Sequence, residues 1–236
     1  MRLKLTVEYD GTPFRGWAAQ PGLPTVEAHL RAALAQTFDR YDGLAVAGRT
    51  DAGVHALANV VSVDVEGGPP LERIAMALNP RLPHEVSVTS AEAVGPDFHA
   101  RFDARARSYL YRIHTRRTPS PFELDRSWWY PWPLDDDALT AAAALLVGKH
   151  DFRAFTPTGT QHKVFVRTVE SARWLRSGDR LEFEITADSF LRHMVRSLVG
   201  TMVERGSLDG LLDGAARSEA GVTAPPHGLY LISVTY

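Results

Sequence analysis

Residues 2–9 alternate without a break: Leu3, Leu5, Val7 and Tyr9 fall on one side, Arg2, Lys4, Thr6 and Glu8 on the other. A period of two predicts a half-buried strand. Asp10-Gly11 ends it, and Pro13, Pro21, Gly22 and Pro24 mark the loop that follows. The period then lengthens. With Thr25 as a cap, His29, Leu30, Ala33, Leu34 and Thr37 recur at helical spacing and predict a helix over 26–38. An apolar run at 44–47 enters a glycine-rich loop. Residues 56–65 return to strand with Val61, Val63 and Val65 on one face, 71–78 form a helix stopped by Asn79-Pro80, and 85–94 form another strand.

The second half repeats the order. Residues 108–115 read as a strand with Tyr109, Tyr111 and Ile113 on one face, and 135–147 as a helix whose first-turn aspartates suit the helix dipole. Strands at 164–175 and 180–187 meet at the turn Ser177-Gly178-Asp179, 189–204 read as a helix, and 229–236 close the chain as a strand. Each half is therefore β-α-β-β-α-β, the ferredoxin-like order, without strong sequence identity between the halves. The expected fold is α/β in the α+β sense, with halves at 1–104 and 105–236 and, between two such sheets, a central cleft of the kind that holds a site.

Composition narrows the classes. The chain has 236 residues, 44% hydrophobic and 23% charged, which excludes a disordered or collagen-like protein. No cysteine is present, so disulfides, zinc-thiolate sites, iron–sulfur clusters and a cysteine nucleophile are excluded. The N-terminus has no apolar h-region, and the small-apolar stretch at 138–147 is interrupted by Thr140 and too short to span a bilayer. A cytoplasmic protein without membrane contact is expected. The formal net charge is −2, yet charge is unevenly placed. Of the 26 basic residues 23 are Arg, a bias that suits phosphate contacts and that a GC-rich coding sequence or heat adaptation would also produce.

Three segments could carry chemistry. The loop 47–55 places Asp51 two residues after Arg49 and four before His55. A carboxylate beside a cation stays ionised, as a nucleophile or proton acceptor must. Spacing alone also allows a hairpin turn whose Asp bonds its own backbone, and favours that reading. The segment 98–117 holds six arginines, Arg101, Arg105 and Arg107 among them, against the single acid Asp103. Arginines interleaved with aromatics suit RNA, since one neutralises phosphate and the other stacks on bases. Tyr109 and Tyr111 share a face, and Tyr111 reads as a core residue. In the predicted helix 189–204 the residues Phe190, Met194, Leu198 and Met202 make an apolar stripe, with Arg192 and Arg196 one turn apart beside His193. Arg196 could meet a carboxylate, or simply face solvent.

Several sites are missing. GxxxxGK[ST], GxGxxG and GxSxG do not occur, so no nucleotide cofactor and no serine-elbow nucleophile is expected. The histidines form no HExxH, and Asp135 to Asp137 read as a helix start, so no metal is expected.

At these residues the sequence resembles the tRNA pseudouridine synthase A family over nearly its whole length. AGRTDAGVHA at 47–56 is similar to that family's catalytic loop. EYDGTPFRGW (8–17), NPRLP (79–83), DFHARFDA (97–104), SYLYRI (108–113), HDFRAF (150–155), SFLRHMVRSLVG (189–200) and APPHGLYLISVTY (224–236) accompany it in order. The resemblance implies an isomerase that detaches uracil, turns it and rejoins it through C5 at positions 38, 39 and 40 of the tRNA anticodon stem-loop. It implies a homodimer, a mixed, mostly antiparallel sheet made of the two ferredoxin-like halves, and no cofactor. By motif, Asp51 matches the essential aspartate, Arg49 the arginine that helps evert the target, Tyr109 the tyrosine that stacks on it, and Arg196 the arginine paired with the aspartate. Arg101, Arg105 and Arg107 are candidate tRNA contacts. Ala18 and Asp188 depart from the family's usual Gln and Asn, which touches substrate contacts rather than the reaction. An RNA-binding or RNA-chaperone module with an idle loop, and a small-molecule enzyme on a ferredoxin-like scaffold, are the competing readings. The presence of Asp51, Tyr109 and Arg196 together counts against the first, the arginine excess against the second.

Overall fold

A computed structural model describes residues 1–236. Ten strands, mostly antiparallel, and four α-helices form two compact units, Met1–Arg105 with Tyr230–Tyr236, and Ala106–Leu229. No helix is long and apolar enough to cross a membrane.

In the first unit, β1 (Arg2–Tyr9), α1 (Val26–Thr37), β2 (Arg40–Val46), β3 (His55–Glu66), α2 (Ile74–Leu78) and β4 (Val86–Ala93) follow the order expected. β1 lies between β4 and β3, antiparallel to both. Leu3, Leu5, Val7 and Tyr9 are all buried, as their alternation requires. β3 is long enough to serve two partners: β2 pairs antiparallel with its far part, and β10 (Leu229–Thr235) pairs parallel with its first residues, Tyr230 opposite His55 and Leu231 opposite Ala56. β3 is also buried on both faces. Val61, Val63 and Val65 face the main core, while Val60 joins Ala47 and Ala100 in a small second core beneath Phe98, Val234 and Tyr236.

Thr25 caps α1 by accepting from the Ala28 amide. The helix expected over 71–78 is only partly α-helical: a 3₁₀ turn at Leu71–Arg73 precedes α2. Asn79-Pro80 does not stop it but begins a further 3₁₀ turn, since Pro is accepted at the start of a helical turn. Asn79 instead latches the edge of β4, its side-chain amide and carbonyl bonding both the C=O and the N–H of Val88 (3.1 and 2.8 Å).

The second unit contains β5 (Ala106–His114), β6 (Trp128–Trp129), α3 (Asp136–Ala144), β7 (Gly148–Asp151), β8 (Val166–Ser177), β9 (Arg180–Ala187) and α4 (Met194–Arg205). Its sheet runs β5-β9-β8-β7, with β6 parallel to β5. The short strands β6 and β7 were not expected, being too brief for a period to register. Tyr111 and Ile113 of β5 meet Leu181, Phe183 and Ile185 of β9 in the core. β8 buries Val169 and Trp174, five residues apart, which strict alternation forbids; a register shift between Val169 and Ser171 restores the phase. Asp135 caps α3, accepting from the amides of Asp137 and Ala138 (3.1 and 3.0 Å).

The last helix differs most from expectation. α4 begins at Met194, not at 189, because His193 sits at φ +62, a left-handed conformation that no α-helix continues through. Phe190 and Arg192 therefore precede the helix and are not part of its faces. Met194, Leu198 and Met202 do form the buried stripe. Gly206, at φ +66, ends the helix by donating its amide to Met202 O.

Candidate active site

The loop between β2 and β3 is fixed by bonds from every side within the first unit. Ala47 N donates to Val60 O (2.8 Å), Trp17 N to Thr50 O (3.0 Å) and Gly53 N to Phe14 O (3.3 Å). Underneath, the Asn59 amide donates to Gly48 O (2.8 Å) and to the Tyr9 hydroxyl (3.1 Å). The Tyr9 hydroxyl also shares a hydrogen bond with Thr50 Oγ1, 2.8 Å away. Two glycines of the preceding loop make room. A Cβ on Gly11 would stand 2.0 Å from Val54 O, and one on Gly16 would stand 2.8 Å from Thr50 O. Gly16 also lies at φ +93, where glycine alone is unstrained. The His55 ring, at the loop's end, stacks on Tyr230 (4.6 Å between centroids), and the Gly11 amide lies 3.0 Å from its Nδ1.

Asp51 sits half-buried at the apex of this frame, with Arg49 exposed beside it. The Val54 amide closes a turn onto Asp51 O (3.1 Å), so the backbone turn considered from spacing is present. The turn uses the main-chain carbonyl. It positions the residue and does not by itself occupy the carboxylate.

Burial pushes the Tyr9 phenol from its ordinary 10.0 to about 12, against the opposing pull of its bonds to Thr50 and Asn59. The neutral phenol is the form the fold holds. A raised folded pKa means that stability is complete below pH 10 and falls as pH rises towards 12. By pH 11 this group alone should cost about 1 kcal/mol. Denaturant titrations at pH 9 and pH 11 test this: wild type should lose about that much more stability over the interval than Tyr9→Phe, and equal losses would show that Tyr9 does not titrate against the fold.

The second unit holds the remaining positions. Tyr109 is buried on β5 with its ring edge-on to Phe190 (4.9 Å, 79°). Tyr111 is fully buried and its hydroxyl donates to Pro225 O (2.8 Å), a core role as expected. Arg196 lies on α4, where its Nε donates to Ala224 O (2.8 Å) and its own carbonyl accepts from Ala224 N (3.0 Å). This pairing rests on Gly200. A Cβ there would meet Val222 O at 2.0 Å, so only glycine lets the segment 221–224 lie along the helix. Thr201 and Glu204 hold the same segment by accepting from Gly221 N (3.0 Å) and Val222 N (2.8 Å).

Arg101 and Arg105 are exposed in the first unit, and Arg107 is buried in the second, donating to Asp188 O (2.9 Å). The Asp188 carboxylate accepts from Thr168 N (3.1 Å) and Ser189 Oγ (3.1 Å). Tyr9, Thr50, Asn59, Gly11 and Gly16 were not singled out from sequence. Asn59, polar in the middle of an apolar strand, was the available signal. No group of three or more His, Asp or Glu stands where it could hold a metal.

Comparison with known proteins places the chain among the pseudouridine synthases. The sequence matches the family described as tRNA pseudouridine synthase over residues 5–103 and 142–236. It is 44% identical to the tRNA pseudouridine synthase A of Rhodopseudomonas palustris (strain HaA2) over all of this chain and 99% of the relative. It is 41% identical to that of Brucella ovis over all of this chain and 98% of the relative. The chain belongs to the tRNA pseudouridine synthase family, a family of isomerases. Among solved structures, one chain of a Cbf5–Nop10–Gar1 complex is similar with a TM-score of 0.42 and 12% identity, over 97% of this chain and about half (48%) of that one.

Proposed function

We propose that this enzyme converts uridine to pseudouridine at positions 38, 39 and 40 in the anticodon stem-loop of tRNA, with Asp51 as the catalytic carboxylate. The observation that carries the proposal is the loop 47–54, whose backbone is bonded to β3 and to the 11–17 loop and which carries Arg49 exposed and Asp51 half-buried. A carboxylate placed on rigid backbone meets a reacting atom without a reorganisation cost. The reaction is an isomerisation. The C1′–N1 bond breaks, the uracil turns, C1′ bonds to C5, the C5 proton leaves to solvent and N1 regains one, so no oxidant or cofactor is consumed.

Each further residue has a role in this reading. Arg49 enters the helix as the target base is everted, which offsets part of the few kcal/mol that eversion costs. Tyr109 stacks on the everted base, and Arg196 is the charge partner of Asp51. Arg101, Arg105 and Arg107 are proposed tRNA contacts. Arg101 and Arg105 are the exposed members, suited to phosphate. A homodimer in the cytoplasm completes the proposal.

Site mapping tests it. Unmodified tRNA transcripts with uridine at 38, 39 or 40 should acquire carbodiimide-dependent reverse-transcription stops at those positions after incubation with the protein alone. Stops confined to other loops of the tRNA would replace the anticodon assignment, and the absence of any stop would refute the reaction.

A further inference from the structure

Phe102 is 75% exposed, an unusual setting for a ring whose burial would gain roughly 1.5–3 kcal/mol. It does not stand on a slack loop. Phe98 N closes a turn on Gly95 O (3.1 Å), and Asp103 N closes another on His99 O (3.1 Å). The Asp103 carboxylate accepts from His99 N (2.8 Å), and His99 Nδ1 accepts from the amides of Arg101 and Phe102 (3.1 and 3.3 Å). The base of the loop is tied as firmly. Arg2 Nε donates to Phe98 O (2.9 Å), Ala100 N to Ser62 Oγ (3.1 Å) and Tyr236 OH to Ala100 O (2.8 Å). Ala100 itself is fully buried.

The ring thus presented has two companions. His99 stacks on it with centroids 4.3 Å apart and planes 28° from parallel, and the Arg101 guanidinium lies 5.7 Å from its centroid. Arg105 is exposed close by in sequence; of the loop's two acids, Asp97 is exposed before Phe98, and Asp103, next to the ring, has a carboxylate oxygen engaged with the His99 amide. A flat, preorganised aromatic surface with cations around it and the adjacent acid, Asp103, turned to internal bonding has the chemistry of a nucleobase platform. Stacking needs only a π-face, and the arginines answer the phosphates that accompany any base.

We propose that His99, Arg101 and Phe102 form a binding site for one unpaired base of the substrate tRNA, which stacks on Phe102 at a place separate from the base being isomerised. The base is an unpaired one because bases inside a duplex already stack on both faces. The proposal rests on tRNA being the substrate, and it adds a position that anchors the RNA rather than one that reacts. The ring is held in its binding geometry before the RNA arrives, so little ordering entropy is lost on contact.

The test separates anchoring from chemistry. Kd by filter binding, and KM and kcat from tritium release, are measured for wild type and for Phe102→Ala, Phe102→Leu and Phe102→Tyr. Phe102→Ala and Phe102→Leu should raise Kd and KM about tenfold to a hundredfold with kcat little changed, and Phe102→Tyr should restore both. Unchanged Kd in all variants overturns the proposal. So does a loss that Leu repairs or Tyr does not, because stacking is then not the interaction. A change of oligomeric state on sedimentation without a change in tRNA affinity also overturns it and assigns the ring to a protein contact. If wild type binds tRNA but releases no tritium, the proposed reaction fails while the Kd series still decides the platform.

Discussion

Asp51→Ala should release no measurable tritium from tRNA labelled at uridine C5, while its tRNA affinity falls by less than about tenfold. The isomerisation needs a group that acts on the ribose or the base, and in the proposed site Asp51 is the only carboxylate given that task. Removing a reacting group, rather than one that assists it, typically costs more than about a thousandfold in kcat. Asp51→Asn makes the sharper experiment. It keeps the size of the side chain and the turn from Val54 N to Asp51 O, which is a main-chain bond, so the loop should keep its shape. Only the charge and the nucleophilic oxygen pair are lost. If Asp51→Asn turned over tRNA within tenfold of wild type, Asp51 would be a structural residue of a tight turn, the reading that spacing alone favours. Loss of tRNA binding in proportion to loss of turnover would instead make it a recognition residue.

How much of this was legible in sequence follows from the range of each interaction. β1 was read residue for residue, because one face of it is buried and alternation reports that directly. Tyr111 was read correctly as core, on a face it shares with the buried Tyr109. α4 was misread at its start because the apolar pattern continues upstream through Leu191 in non-helical chain. What interrupts the helix is the left-handed His193, and what holds the chain before it is a set of bonds at Asp188 that reach to Thr168 and Arg107. Those partners are distant in sequence, so no local window contains them. β8 was placed, but its bulge was invisible, because the phase shift is set by pairing with β9.

The candidate site divides in the same way. Asp51 and Arg49 were found by motif, and nothing in their own spacing distinguished them from an ordinary turn. The frame that makes the loop rigid was missed. It is built from Tyr9 and Asn59, which lie fifty residues apart and meet only when β1 pairs with β3. Tyr9 in particular was taken for a plain core residue of an alternating strand, which it is, and its hydroxyl does a second job from that position.

The other large effect is expected at a residue with no side chain to react, Gly11. Its amide points at His55 Nδ1, and the face where a side chain would grow is pressed against the loop that carries Asp51. A methyl group there would meet Val54 O at 2.0 Å, its carbonyl carbon at 2.5 Å and Val54 N at 2.9 Å. None of these is the flexible end of a side chain, so the contact is relieved only if the backbone of 51–54 or of 10–12 moves. The second route is restrained by β1 and the bond from Asp10 N to Glu85 O (2.9 Å), which leaves the loop to yield. A displacement of about 1 Å in a catalytic group costs on the order of a hundredfold, and overpacking of this kind costs roughly 1–3 kcal/mol of stability. Gly11→Ala should therefore show both, a kcat lowered about a hundredfold and a protein still folded but less stable. Gly95→Ala is the matched control. Nothing lies within 4 Å of a Cβ at Gly95, and its backbone is not left-handed, so the same substitution there should change stability by less than about 0.5 kcal/mol and leave kcat alone. A Gly11→Ala enzyme with normal kcat and reduced stability would mean that the strain is absorbed on the side of 10–12, and that the loop carrying Asp51 is held more firmly by Tyr9, Thr50 and Asn59 than by the glycine beneath it.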